Sequence, residues 1–143
     1  MYTLQEISKP KRKKLVKNIE KHLKNYNNYK VAILNLSKQL EFIATNDNME
    51  IFKESIDDDC EFQESVDKLA GELQHIKLLK DSIDISLSEL TELEYRFVQY
   101  RYFKNWTIEK SALEIGYSDK ALFVIRNQVM DKLLISLGSV VYM

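Results

Sequence analysis

The sequence predicts an all-α protein in which a long antiparallel helical hairpin precedes a C-terminal module of three helices with a helix-turn-helix. Two extended stretches repeat apolar residues in alternating steps of four and three, which is the spacing of a helical seam. The last third of the chain carries three helix-start signals in close succession. A chain of 143 residues with three Gly, one Pro and one Cys is not collagen-like, low-complexity or built on disulfides.

The first predicted helix runs from Arg12 to Thr45. Asn25 and two further asparagines at positions 27 and 28 are weak helix formers, but the apolar phase continues through them. The pattern therefore predicts one long helix with a coiled-coil-like seam. The seam, in which only His22 is polar, consists of Leu15, Ile19, His22, Tyr26, Tyr29, Ile33, Leu36, Leu40 and Ile43.

A second seam predicts a second long helix from Phe62 to Leu90. Before it, Asp47 is placed to cap a short helix with Glu50 as its capping-box partner, and the acidic run 57–59 is the expected tip of the hairpin. A short connection between two long helices favours an antiparallel pair. The members of this seam, of which only the lysine is polar, are Val66, Leu69, Leu73, Ile76, Lys80, Ile83, Leu87 and Leu90.

The apolar stripe of the first helix is wider than one partner helix would cover. We therefore expect the hairpin to form a homodimer through a four-helix interface. Packing of the same surface onto the chain's own C-terminal module is the alternative that the pattern leaves open. The residues that widen the stripe are Val16, Leu23, Val31 and Leu34.

The C-terminal module opens with a capping box formed by Thr91 and Glu94. The helix that follows carries apolar residues from Leu93 to Phe103, and a loop at residues 104–106 separates it from the next helix start at Thr107. We assign residues 1–90 to the hairpin, with a basic N-terminal arm at residues 1–14, and residues 91–143 to this module.

A tight turn connects the last two helices of the module. Gly116 is suited to end the first of them in a left-handed conformation, and Ser118 caps the second almost at once. Small Ala112 lies where the two helices must cross, so the spacing predicts a helix-turn-helix. The inward-facing residues of the last helix are expected to be Leu122, Ile125, Val129, Leu133 and Leu134.

The charge is unevenly distributed along the chain. Nine basic and two acidic residues give +7 over residues 1–30, five and fourteen give −9 over residues 31–90, and seven and six give +1 over residues 91–143. The basic cluster Lys9–Lys14 would attract phosphate backbones or anionic surfaces, and a solvated arm is the plainer interpretation. The module alone is weakly charged for a DNA-binding surface.

The turn and its flanks resemble region 4 of sigma-70-type RNA polymerase sigma factors. Residues 112–118, Ala-Leu-Glu-Ile-Gly-Tyr-Ser, are similar to the family's Ala-x-x-Leu-Gly-x-Ser turn, and the likeness covers about one third of the chain. Nothing resembles the sigma region that melts promoters. The flanking residues that agree are Leu93, Glu94, Phe97, Val98, Tyr100, Arg101, Tyr102 and Phe103 before the turn, and Leu122, Ile125, Val129, Met130 and Leu133 after it.

A helical N-terminal region before a region-4-like module is similar to phage transcriptional regulators of the ArpU and RinA type. The resemblance implies a phage or prophage protein that binds double-stranded DNA and switches on late or packaging genes, with RNA polymerase as a possible further partner. The sequence departs from the sigma pattern at Tyr95, where the family usually has Arg, and at Ser111, which replaces an apolar residue.

In a helix-turn-helix the second helix enters the major groove, so the face opposite its buried residues is the predicted reader. Asn127 is suited to pair with adenine and Asp119 to accept from cytosine N4, while Phe123 or Val124 would meet thymine methyl groups. The predicted phosphate contacts are Lys104, Asn105, Lys110, Lys120, Arg126 and the helix N-terminus at Ser118.

The sequence contains no motif of an enzyme. It lacks a Gly-rich phosphate loop, a His-Glu-x-x-His helix, paired cysteines and a nucleophile elbow, and Cys60 lies among carboxylates that should weaken it as a nucleophile. His22 has no ligand-type neighbour one turn away, and His75 has only Glu72, a pairing that occurs by chance on many helices. The run 57–59 lacks the spacing and glycine of a calcium loop. We expect no catalysis, no cofactor and no metal.

No apolar run approaches the roughly 18 residues that a membrane span requires, so we expect no membrane partner. A single cysteine cannot form an internal disulfide, so nothing argues for an oxidising compartment and we expect a cytoplasmic location. The phage resemblance implies that this is the cytoplasm of a bacterial host cell. Two other functions stay open. A phage DNA-packaging small subunit would also combine a helix-turn-helix with helical oligomerisation and would form a ring. A protein-binding adaptor would use Phe123 and Val124 as an apolar contact patch and would not bind DNA.

Overall fold

The computed structural model describes residues 7–45 and 59–138, and these form six α-helices, a π-helical turn and no strand. The predicted all-α class is confirmed. The expected short helix capped by Asp47 lies outside the described residues. The helices are α1 (Lys9–Lys24), α2 (Tyr26–Ala44), α3 (Asp59–Ser88), α4 (Glu92–Val98), the π-turn π1 (Gln99–Phe103), α5 (Ile108–Ile115) and α6 (Asp119–Ser136).

The first long helix of the prediction is interrupted, so the prediction of one continuous helix was wrong. Helix α1 ends at Lys24 and α2 begins at Tyr26. Asn25 between them has φ −91° and ψ 1°, and its side-chain amide donates to the carbonyl of Lys21 at 3.0 Å. Asparagine side chains compete for backbone hydrogen bonds in this way. Here the helix is interrupted at Asn25 although the spacing of apolar residues continues through it.

The described residues divide into two compact units, one within residues 1–27 and 81–143 and one within residues 28–80. In the first unit, α1 packs on π1 and α6, α4 packs on π1 and α6, and α5 contacts α4, π1 and α6. This grouping differs from the predicted division at residue 90. It arises because α1 buries its apolar side chains with the C-terminal helices, and these side chains are Leu15, Val16, Ile19 and Leu23.

Aromatic residues of π1 lie at the centre of the first unit. The buried ring of Tyr102 meets Phe97 edge to face, with centroids 5.9 Å apart. Phe103 stacks on Tyr26 at 4.8 Å, and the Tyr26 hydroxyl donates to Asp84. Helix α6 lines the same core, and the residues predicted to face inward are all buried: Leu122, Ile125, Val129, Leu133 and Leu134.

The second unit combines buried and exposed apolar residues. Leu36, Ile43, Phe62 and Leu79 are buried. Phe42 and Ile43 of α2 share an open groove of about 410 Å³ with Leu69 of α3. Several large apolar side chains of this unit face solvent, namely Val31, Leu34, Phe42 and Leu78. Across the residues that the structure describes, no helix has the length and apolar character to cross a bilayer.

Candidate nucleic-acid interface

Local capping bonds fix the ends of α5 and α6. The hydroxyl of Thr107 accepts from the amide of Lys110 at 3.1 Å, and the hydroxyl of Ser118 accepts from the amide of Ala121 at 3.1 Å. Gly116 has φ 87°, and its amide donates to the carbonyl of Ala112 at 2.8 Å. These predicted caps and the left-handed turn are confirmed. Helix α6 therefore begins at Asp119, three residues after the glycine that ends α5.

Glu94 connects the start of α4 to α6. The predicted capping box with Thr91 is present, and Lys132 of α6 donates to the Glu94 carboxylate at 2.6 Å. Burial is the largest influence on this carboxyl and opposes ionisation, but the bonds from Lys132 and Thr91 together outweigh it and hold the pKa of Glu94 below its ordinary value. The ionised side chain therefore holds α4 against α6.

The predicted reading face of α6 is exposed. Phe123 and Val124 expose 52% and 53% of their surface, although apolar side chains of this size usually favour burial. The residues on either side of this pair, Leu122 and Ile125, are buried, as expected of an amphipathic helix with one face in the core and the other in solvent. The exposed side chains in this row, which we call the α6 row, are Asp119, Lys120, Phe123, Val124 and Asn127.

Two of the predicted phosphate contacts meet over one aromatic ring. Tyr100 stacks on Trp106 with centroids 4.9 Å apart. The ammonium of Lys104 lies 4.8 Å and that of Lys110 lies 4.2 Å from the Trp106 ring centre, within the range of a cation–π contact. Each lysine remains exposed. The ring thus holds two positive charges at one side of the module.

Trp106 also lies in a groove that reaches the beginning of the α6 row. The groove has a volume of about 440 Å³ and is lined by Arg101, Asn105, Trp106, Thr107, Ile108, Glu109, Asp119 and Phe123. The Arg101 guanidinium donates to the backbone carbonyl of Trp106 at 3.0 Å, which fixes the loop. Asn105 adopts φ 56°, a conformation that asparagine tolerates better than most residues.

A second groove adjoins the other end of the α6 row. It has a volume of about 460 Å³ and is lined by Lys9, Arg12, Lys13, Val16, Lys17 and Glu20 of α1 together with Arg126 and Asn127 of α6. We call it the α1–α6 groove. The cluster Lys9–Lys14, predicted within an N-terminal arm, thus forms the first turns of a packed helix.

Arg126 is already neutralised in this structure. Its guanidinium donates to one carboxylate oxygen of Glu20 at 3.0 Å, and the hydroxyl of Tyr102 donates to the other at 2.6 Å. Burial, followed by the bond to Glu20, raises the pKa of Tyr102. A phosphate contact by Arg126, as predicted, would have to share its guanidinium with Glu20. In its present position Arg126 holds α6 to α1.

Sequence reasoning did not assign Trp106, Tyr100 or Lys17 to the interface. The available signal for Trp106 was its position between Lys104 and Lys110, since aromatic and basic residues together are typical of nucleic-acid surfaces. Tyr100 joins the site through its stacking on Trp106. Lys17 gave no signal, because its place beside α6 depends on long-range packing.

Comparison of the chain with protein-family models, curated proteins and solved structures gave no match. The candidate interface is therefore defined by its geometry. The α6 row is exposed, with Asp119 and Phe123 on the Trp106 groove and Asn127 on the α1–α6 groove.

Proposed function

We propose that the protein is a phage or prophage DNA-binding regulator of transcription, with α5 and α6 acting as the helix-turn-helix. The observation that carries the proposal is the exposed α6 row with two lysines over Trp106 beside its first turn. A reading helix needs exposed side chains for base edges and positive charge beside them for phosphates. The capped turn between α5 and α6 supplies the connection that such a motif requires.

In this proposal α6 enters the major groove. Asn127 pairs with an adenine, Asp119 accepts from cytosine N4, and the apolar pair of Phe123 and Val124 contacts thymine methyl groups. Asp119 also repels phosphates, so it favours a base-edge position over a backbone position.

Backbone phosphates are held at the N-terminal end of the reading helix. Lys104 and Lys110 lie together over Trp106, and Lys120 is exposed in the first turn of α6. The free amide groups at the start of α6, next to Ser118, favour an anion as helix N-termini do. Three lysines and one helix terminus give a modest affinity, since each phosphate contact contributes mainly through counterion release.

The resemblance to ArpU and RinA regulators supports a role in switching on phage late or packaging genes, with RNA polymerase as a further partner. A homodimer would place two reading helices on half-sites about one helical turn, or a multiple of it, apart. The exposed apolar side chains of residues 28–80 are surface on which a second copy can pack.

Fluorescence anisotropy with a mixed-sequence duplex tests the proposal. Binding is measured from about 50 to 200 mM salt for the wild type and for Lys120→Ala and Asn127→Ala. Lys77→Ala and Asn35→Ala are matched controls, because both residues are exposed and lie outside the candidate interface. Selection from a random duplex pool then identifies a preferred site.

We expect wild-type binding to weaken steeply with salt. Lys120→Ala should lower the affinity for all duplexes and reduce the salt slope by about 1, whereas Asn127→Ala should relax preference at one A·T pair by about 1–3 kcal/mol. Absence of binding at about 50 mM salt, where weak electrostatic contacts persist, would contradict the proposal, as would equal effects of the interface and control variants.

The protein-binding adaptor remains a second candidate because of the exposed apolar residues around the turn. Leu113 is 81% exposed, and Tyr117, Phe123 and Val124 are each at least half exposed. A surface of this kind is typical of protein contacts. The adaptor predicts no salt-sensitive DNA binding, and a packaging subunit predicts a ring-like oligomer that sedimentation would distinguish from a dimer.

A further inference from the structure

We propose that the α1–α6 groove is a second phosphate-binding surface, which holds the backbone of the same DNA duplex beside the segment that α6 reads. The inference rests on the proposed function. It assigns to α1 a direct role in binding, and it makes Lys9, Lys13 and Lys17 the contact residues.

The spacing of these three lysines suits a phosphate backbone. They recur every four residues, so they lie on one face of α1, and Lys9 and Lys17 are about 12 Å apart along the helix axis. One DNA strand places a phosphate about every 3.4 Å along the duplex axis. A length of about 12 Å measured along the duplex axis therefore corresponds to three to four phosphates of one strand, roughly one for each lysine.

The other charges of the groove largely cancel, and these three remain. Arg126 is paired with Glu20 at 3.0 Å, and Arg12 is paired with Asp131 of α6 at 2.9 Å. Within the part of the chain that the structure describes, no carboxylate forms an ion pair with Lys9, Lys13 or Lys17, and all three are exposed. The groove therefore presents about three uncompensated positive charges.

The same two ion pairs keep α1 in place beside α6. Glu20 accepts hydrogen bonds from both Tyr102 and Arg126, and Asp131 forms an ion pair with Arg12. The apolar side of α1 is anchored by Ile19 and Leu23, which are fully buried. The lysines are thus presented from a fixed helix, which lowers the entropic cost of ordering them on a ligand.

An occupant of the groove lies beside Asn127, because this residue lines the groove and belongs to the α6 row. A DNA duplex read by α6 is continuous through that point. The weak net charge of residues 91–143, +1 from seven basic and six acidic residues, makes additional cations necessary for stable DNA binding. These two observations favour the DNA backbone over an unrelated anionic partner.

The experiment replaces the three groove lysines together, as Lys9→Gln, Lys13→Gln and Lys17→Gln in the full-length chain. The matched control replaces three exposed lysines of residues 28–80, as Lys38→Gln, Lys68→Gln and Lys77→Gln, and so removes the same charge. Both variants are compared with the wild type by anisotropy on a mixed-sequence duplex over a range of salt. Circular dichroism confirms that each variant keeps its helical content.

We expect the groove variant to bind at least tenfold more weakly than the control at about 100 mM salt. Its salt slope should fall by about 2 to 3, near 0.9 for each phosphate that is no longer neutralised. Equal affinity and slope for the two variants would overturn the inference and leave the proposed function standing if Lys120→Ala still weakened binding. No binding by the wild type would overturn both. Wild-type binding to phosphatidylserine vesicles, abolished in the groove variant while DNA binding persisted, would assign the groove to a membrane surface instead.

Discussion

Glu94 shows how much a single side chain contributes to the C-terminal module. Its carboxylate accepts a hydrogen bond from the backbone amide of Thr91 at 2.9 Å and one from the ammonium of Lys132 at 2.6 Å. Only 4% of the residue is exposed. A buried carboxylate is stabilising only while its partners remain. Stability of the module should therefore depend on its ionisation.

The pKa of Glu94 is below its ordinary value of 4.5, so the folded state favours the ionised form. Its contribution to stability is complete above about pH 4.5 and is lost as the pH falls through the lower folded-state pKa. Glu94→Gln keeps the capping box, since Gln also serves at this position, but removes the charge. We expect a loss of about 1 kcal/mol at pH 7, measured by urea unfolding. The difference from wild type should shrink towards pH 3, and a constant difference would contradict this assignment.

Glu20 has a comparable role at the contact between α1 and α6. Glu20→Gln weakens the bonds to both Tyr102 and Arg126, so we expect it to lower the free energy of unfolding by about 1–3 kcal/mol. Glu64→Gln, at an exposed position of α3, is the control and should have almost no effect. A double-mutant cycle with Arg126→Gln measures the coupling directly, and a coupling energy near zero would show that the ion pair does not hold the helices together.

At the scale of elements, two glycines should respond to the same substitution in opposite directions. Gly116 has φ 87°, and an added Cβ would meet no atom within 4 Å. Gly116→Ala should therefore lower the free energy of unfolding by about 1–2 kcal/mol from backbone conformation alone. Gly116→Asn should lower it by less, because asparagine adopts the left-handed conformation more readily. Gly71 lies within α3 in open space, so Gly71→Ala should stabilise the protein by about 1 kcal/mol. Thermal unfolding of both variants checks the signs, and a stabilising Gly116→Ala would contradict the left-handed turn.

The ends of these helices could be predicted from sequence because capping depends on residues three or four positions apart. Thr91 with Glu94, Thr107, Gly116 and Ser118 all follow this rule. The placement of α1 could not be predicted in the same way. A seam identifies which side of a helix is buried but not its partner, and the Glu20–Arg126 contact joins residues 106 positions apart. The basic cluster Lys9–Lys14 was recognised from sequence as attractive to phosphates, but its place beside α6 was not predicted.

At the scale of the whole molecule, the grouping of α1 with the C-terminal helices has a consequence for local unfolding. Leu23→Ala should cost about 2–5 kcal/mol, because the side chain is fully buried. We expect amide exchange to accelerate in α4 and α6 together with α1, and less in residues 28–80. Hydrogen exchange followed by mass spectrometry makes the measurement. Acceleration confined to residues 28–80 would contradict the grouping. Val31→Ala, at a position 56% exposed, is the control.

The proposed homodimer can be tested on the exposed apolar side chains of residues 28–80. Leu34 is 62% exposed, and Leu34→Glu should shift sedimentation of the protein from dimer towards monomer, because a charge placed in an apolar interface is costly to bury. Leu113→Glu introduces the same charge at an exposed position of α5 and should leave the dimer intact. A wild-type protein that sediments as a monomer at every concentration tested would exclude the dimer.

The arrangement of two lysines over Trp106 also provides an optical reporter, because this is the chain's single tryptophan. Indole emission responds to the electric field of nearby charges. A duplex that draws the ammonium groups of Lys104 and Lys110 towards phosphates should change the intensity or wavelength of that emission. DNA binding at this side of the module can thus be followed by the protein's own fluorescence, without a label on either molecule.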